Sequence, residues 1–197
     1  MLLGACVLVA GGCRQHPLTD YRPLDQAGMW SSGLEDLKKL NTSDSEVAQM
    51  VKVKQAKVSD DTCVALVAAA HEHQHPFISG DSTSNLAAAG YSEPQILEIA
   101  KADKLDALSG DAVALRLIGL SDGFVQFVLQ RRIQGQRTLG TPQIAKLKNV
   151  GLTEHQILEH ITAGMTDAQA DREIAVREAN RNHANTGFVR VRGRKPR

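Results

Sequence analysis

The chain has 197 residues, enough for one domain of ordinary size. It has only seven aromatic residues, so aliphatic side chains must build its core. The net charge is +1, but residues 179–197 hold six basic residues and no acid, which leaves −5 for residues 1–178. This acidic body argues against nucleic-acid binding through broad basic faces and makes the tail the electrostatic feature of interest.

Residues 1–13, MLLGACVLVAGGC, form an apolar segment that ends in small residues before Cys13. The segment is shorter than the roughly 20 residues of a transmembrane helix and is typical of a secretion signal. Ala10-Gly11-Gly12-Cys13 resembles the lipobox of bacterial lipoproteins, although no Lys or Arg precedes the apolar stretch. The resemblance implies cleavage before Cys13, lipid attachment to Cys13, and a place in the cell envelope. Arg14 after the cysteine then favours the outer membrane.

Residues 14–33 contain Pro17, Pro23 and Gly28 among polar residues with little periodicity. This composition predicts a flexible linker between the anchor and the folded body.

A four-residue pattern recurs in residues 34–180: a small residue, a hydrophobic residue, Ser or Thr, and an acid. Its copies are Lys57-Val58-Ser59-Asp60, Gly90-Tyr91-Ser92-Glu93, Gly119-Leu120-Ser121-Asp122, Gly151-Leu152-Thr153-Glu154 and Gly164-Met165-Thr166-Asp167. Glycine is typical of the left-handed residue that ends a helix, Ser or Thr of the next N-cap, and the acid of a helix N-terminus. The pattern predicts an all-α domain of tandem short helix-turn-helix hairpins, with repeats of about 30 residues.

Two further spacings support these helix starts. Capping boxes are predicted at Ser43/Glu46, Ser92/Gln95, Thr153/Gln156 and Thr166/Gln169. Hydrophobic staples are predicted at Val58/Cys63, Tyr91/Ile96, Leu120/Val125 and Leu152/Ile157. Another helix is predicted to open at Ser109, and Cys63 is predicted to be a small core residue.

The segment His71-Glu72-His73-Gln74-His75 is the one histidine cluster in the sequence. On a helix His71 and His75 would share a face at the i, i+4 spacing that can clamp zinc, but no cysteine or carboxylate at a recognised spacing completes a site. The alternative is a solvated helix C-terminus, where histidine is favourable towards the helix dipole. No metal site is therefore predicted, and His71 and His75 remain weak candidates.

No catalytic set is recognisable in the chain. His155 is expected to be exposed and His160 to lie beside an apolar stripe, without a nucleophile in a known motif. No phosphate-binding, dinucleotide-binding or calcium-binding loop occurs. The sequence thus predicts a protein that is not an enzyme and needs no cofactor.

The tail, residues 181–197, is predicted to be a basic extension. It is either a disordered solubilising segment or, through the alternation of Phe188, Val189 and Val191, one that adds a strand to a partner or rests apolar groups on a membrane surface. Arg192-Gly193-Arg194 with Pro196 resembles an AT-hook, which Lys195 interrupts. The turns at Gly90 and Gly119 resemble the helix-turn-helix of DNA-binding proteins, but capping and stapling explain the same residues. The residues predicted to bind an anionic surface are Arg190, Arg192, Arg194, Lys195 and Arg197.

The sequence as a whole predicts a non-enzymatic envelope lipoprotein that acts as a binding or scaffold module. Its expected partners are membrane lipid through Cys13, and a protein or an anionic envelope component. The alternative is a cytosolic nucleic-acid-binding protein that uses helix-turn-helix units and the AT-hook-like tail.

Overall fold

The structure of the protein is a computed structural model that describes residues 18–189, with side chains to residue 183. Within these residues it has eleven helices and no strand, which confirms the all-α prediction. The helices are α1 (Arg22–Gln26), α2 (Ser31–Lys39), α3 (Asp44–Gln55), α4 (Asp60–Glu72), α5 (Gly80–Ala88), α6 (Glu93–Lys101), α7 (Leu105–Leu117), α8 (Asp122–Ile133), α9 (Thr141–Asn149), α10 (Glu154–Thr162) and α11 (Asp167–Val189).

The helices pack mainly against the helix two positions along the chain. Helix α1 contacts α3, and the same row continues through α5, α7, α9 and α11. A second row contains α2, α4 and α6, and a hydrogen bond from Ser121 at the start of α8 to Glu154 of α10 extends this order. The apolar faces of the two rows enclose one aliphatic core, of which Leu37, Leu66 and Ile99 are almost completely buried.

The folded body begins earlier than the predicted boundary at residue 34. Helix α1 opens with Pro23 at its first turn, and Gly28 takes a positive φ of 84° in the turn that follows. Leu24 and Met29 are buried in the core. The prediction of a linker is therefore wrong for this segment. Pro23 lies in the first turn of α1, where proline is tolerated, and Gly28 adopts the left-handed conformation that favours glycine.

Two other predicted boundaries change. The helix expected to open at Ser109 begins at Leu105, so Ser109 and Gly110 lie inside α7. Helix α11 continues past residue 181 to Val189, where a tail had been predicted.

Among residues 18–189, ten residues at the turns between helices have a positive φ, and four of them are not glycine. The six glycines are Gly28, Gly90, Gly119, Gly135, Gly151 and Gly164, and the others are Asn41, Lys57, Gln74 and Asp103. Every turn between the described helices thus has a left-handed residue, and the sequence pattern indicated five of them: Lys57, Gly90, Gly119, Gly151 and Gly164.

Replacing Lys57 by glycine is expected to stabilise the protein by about 1 kcal/mol, because the left-handed conformation strains a residue with a Cβ. Lys57 has a φ of 63°, and its backbone N–H bond to Lys54 would be retained. The measurement is chemical denaturation of the two proteins. Asn41→Gly is the control and should give a smaller gain, because asparagine tolerates this conformation. Equal gains at both positions would contradict the explanation.

Candidate functional site

The lipidation residue and the basic tail lie outside the described residues. Cys13 precedes the first described residue, Leu18, and the five basic residues Arg190, Arg192, Arg194, Lys195 and Arg197 follow the end of α11. Without Arg14 and these five residues, the net charge of residues 18–189 is −5. The described body is therefore acidic, and the predicted anionic-surface residues come after it in the chain.

The three clustered histidines point to three different partners. Helix α4 ends at Glu72, so His71 is in its last turn, whereas His75 belongs to the loop before α5. The Nε2 atom of His71 lies 2.7 Å from Glu46 Oε1 of α3, and that of His73 lies 3.0 Å from the Lys101 carbonyl oxygen. The Nε2 atom of His75 lies 2.8 Å from Asp103 Oδ1. Among the described residues no group of three or more His, Cys, Asp or Glu is placed to hold a metal ion.

Glu46 is the most enclosed carboxylate of this region, and it joins three segments. Its side chain is 4% exposed. Oε2 accepts bonds from the backbone N–H and the hydroxyl of Ser43 at 2.9 and 2.8 Å, and Oε1 accepts the backbone N–H of Phe77 at 2.9 Å beside His71. Burial works to raise the pKa of Glu46, but the hydrogen bonds from Ser43, Phe77 and His71 outweigh it and hold that pKa below its usual value. Glu46 therefore stabilises the fold as an ionised group.

His75 connects the loop before α5 to the loop before α7. Its Nδ1 lies 3.0 Å from the Pro76 carbonyl oxygen, opposite the bond to Asp103. The Pro76 carbonyl and the Asp103 carboxylate raise the pKa of His75 above its usual value, because both favour the protonated ring. The contacts of protonated His75 therefore stabilise the fold fully at pH values below about 6.5, the pKa of an unfolded histidine. This stabilisation is lost as the pH rises through the pKa of His75 in the folded protein.

Replacing Asp103 by asparagine is expected to lower the pKa of His75 towards its ordinary value. Asparagine keeps a hydrogen-bond acceptor and tolerates the positive φ of 55° at this position, so the change removes mainly the charge. The measurement is a proton NMR titration of the histidine rings. Asp25→Asn, which removes the charge of an exposed acid in α1, is the control and should leave the pKa of His75 raised. A His75 pKa that does not move would show that Asp103 does not set it.

Three other residues were singled out in the sequence: His155, His160 and Cys63. His155 is exposed as expected, and His160 is half-buried beside Glu173 of α11. Cys63 is completely buried, which confirms the core prediction, and burial raises the pKa of its thiol to about 12. At neutral pH this thiol is protonated and is a poor nucleophile.

The acids that open the helices make contacts that the sequence did not predict. In four cases the first residue of a helix accepts the backbone N–H of the N-cap residue two helices earlier, an arrangement we call the acid link. The bonds are Trp30 to Asp60, Ser59 to Glu93, Ser121 to Glu154 and Gly140 to Asp167, with lengths of 2.8–2.9 Å. Three acid links join α2 to α4, α4 to α6 and α8 to α10, and the fourth joins α9 to α11 in the other row. All four place a carboxylate at a helix start, where a DNA-reading helix would meet phosphate.

Two open grooves lie between helices of the α1-to-α11 row. One has a volume of about 540 Å³ between α5 and α7, and its lining includes Ala88, Val113 and the 82% exposed Leu117. The other has a volume of about 360 Å³ between α1 and α3, where Pro23 and Val51 contribute. The first groove combines apolar side chains with Asn85 and Ser109, and the second combines them with Asp20 and Asp44.

Comparison with protein-family models finds no match, and no curated protein or solved structure matches the chain. Across residues 18–189, none of the helices combines the length and the apolar character needed to cross a bilayer.

Proposed function

We propose that the protein is a non-enzymatic binding or scaffold module of the bacterial cell envelope, held at the outer membrane by a lipid on Cys13. The observation that carries the proposal is the lipobox-like Ala10-Gly11-Gly12-Cys13, which is followed within a few residues by a folded helical body. A short chain between an acylated cysteine and a stable domain is what a membrane-tethered module requires.

The described body supplies surfaces suited to a protein partner. The grooves between α1 and α3 and between α5 and α7 open on the same row of helices. Their apolar lining would bury an amphipathic segment of a partner. The five basic residues after α11 would meet an anionic component of the envelope, since opposite charges attract.

The test of the anchor is fatty-acid labelling of the full chain expressed in bacteria, with membrane fractionation. We expect label and membrane association in the natural chain and in Cys6→Ser, and the loss of both in Cys13→Ser. Cys6 is the matched control, because it is also a cysteine of the apolar segment. Unlabelled, soluble protein from the natural chain would remove the lipoprotein proposal.

The basic tail supports a second candidate, a cytosolic nucleic-acid-binding protein. Six basic residues lie between Arg181 and Arg197 without an acid among them. If all six contacted duplex phosphates, the logarithm of affinity would fall with the logarithm of salt concentration with a slope of about −5. Deletion of residues 190–197 would then abolish binding to duplex DNA. Binding that survives the deletion would exclude the tail as the binding element.

A further inference from the structure

We propose that the α1–α2 end of the body lies on the phospholipid surface, with Leu18 and Trp30 in contact with the lipid. This inference deepens the proposed function and rests on the tether at Cys13. Two of the most exposed large hydrophobic side chains of the described body, Leu18 at 97% and Trp30 at 77%, belong to this end.

The length of the tether decides which end of the body can reach the membrane. Only residues 14–17 separate Cys13 from Leu18. Five residue steps span at most about 18 Å even when fully extended. A lipid on Cys13 therefore holds Leu18 close to the bilayer, whereas α11 is reached only through successive helix contacts from α1 to α9.

Leu18 and Trp30 lie near opposite ends of the same helix, α2. The hydroxyl of Thr19 donates to the Thr42 carbonyl oxygen at 2.9 Å, which places Leu18 near the C-terminus of α2. Trp30 is the N-cap residue of α2, and its backbone is held by the acid link to Asp60. Helix α2 has nine residues and is about 14 Å long, so a lipid surface that contacts both side chains would lie along this helix.

Three ion pairs lie at this end of the body. Glu35 pairs with Lys38 and Asp36 with Lys39, both at 2.7 Å, and Asp20 pairs with Arg22 in front of α1. Paired charges offer little net repulsion to an anionic headgroup layer. A tryptophan with an exposed ring is favoured at the boundary between headgroups and acyl chains, where the ring is apolar and the indole N–H can bond to water or headgroups.

The single tryptophan of the chain makes the proposal directly measurable. The full chain carrying Cys6→Ser is coupled through Cys13 to a maleimide phospholipid in phosphatidylethanolamine–phosphatidylglycerol vesicles. The buried Cys63 does not compete for the reagent. We expect the Trp30 emission to shift to shorter wavelength and to be quenched by lipids brominated on the acyl chains. Uncoupled protein with the same vesicles should show neither effect.

A second variant tests whether the contact belongs to this end alone. In Trp30→Phe with Val176→Trp, the probe lies on α11, where the natural Val176 is 60% exposed. The tryptophan at position 176 should remain unquenched after coupling. In a separate variant that keeps Trp30, Leu18→Ser should weaken the quenching of Trp30. Unquenched Trp30, equal quenching of both probes, or a concentration-dependent Trp30 shift without vesicles would each overturn the inference. Chemical coupling to the vesicle does not depend on lipidation in the cell. Fatty-acid labelling therefore tests the lipid anchor, and quenching in the coupled protein separately tests the contact of Trp30 with lipid.

Discussion

Replacing Glu46 by glutamine is expected to lower the free energy of unfolding by about 2 kcal/mol. Both carboxylate oxygens act only as acceptors: Oε2 faces the N–H and hydroxyl of Ser43, and Oε1 faces the N–H of Phe77. A glutamine side chain has one oxygen and one NH₂ group. In either orientation its NH₂ group therefore faces a backbone N–H, and a buried donor loses its partner. Chemical denaturation at neutral pH measures the loss.

The pH dependence of stability separates this explanation from simple loss of packing. Because the pKa of Glu46 is lowered on folding, its contribution is fully present above the unfolded pKa of about 4.3 and is lost as the pH falls through the folded pKa. The difference between the natural protein and Glu46→Gln should therefore shrink in acid. Glu72→Gln, at an exposed position at the end of α4, is the control and should change stability little. A difference that is constant with pH would contradict the role of the charge.

Replacing Gly80 by alanine is expected to destabilise the protein by about 2 kcal/mol through overpacking. Gly80 is buried at the start of α5, where the helix lies against α3. An added Cβ would lie 2.6 Å from the carbonyl oxygen of Gln49 and 3.1 Å from its Cα. Since both atoms belong to the backbone of α3, the two helices must move apart. Thermal and chemical unfolding would both report the loss.

Gly110→Ala is the matched control for Gly80→Ala and should have the opposite sign. Gly110 lies inside α7 and is exposed, and an added Cβ would have no atom within 4 Å apart from its chain neighbours and the nearby backbone of its own helix. Alanine stabilises a helix interior by about 0.5–1 kcal/mol relative to glycine. Destabilisation by both substitutions would show that close approach to Gln49 is not the cause at Gly80.

Local patterns in the sequence predicted the features that depend on a few neighbouring residues. The capping boxes at Ser43, Ser92, Thr153 and Thr166 are present, with their backbone N–H groups bonded to Glu46, Gln95, Gln156 and Gln169. The staple residues are buried as expected, for example Tyr91 with Ile96 and Leu152 with Ile157. These interactions span three to five residues, so sequence spacing specifies them. The tandem-repeat arrangement and the lipid anchor stay predictions.

Features that join distant segments were not predicted. Glu46 was assigned to its own capping box, but the contacts of Oε1 with His71 and Phe77 come from residues 25 and 31 positions later. Helix α1 was missed because it has only five residues, and its stability depends on burying Leu24 rather than on helical propensity. Likewise, the acids at Glu93 and Glu154 were explained by the helix dipole alone, although each accepts a bond from a residue 33 or 34 positions earlier.

The direction of the acid links has a consequence for how the chain can fold as it is made. In all four links the donor comes first in the chain and the carboxylate follows about two helices later. A growing chain therefore exposes each of these N-cap groups to water until the later helix has emerged. For helix α9 the acceptor of the Gly140 N–H is Asp167, the first residue of α11. This contact therefore forms only after the start of α11 has been made, and loss of α11 would leave α9 without this cap.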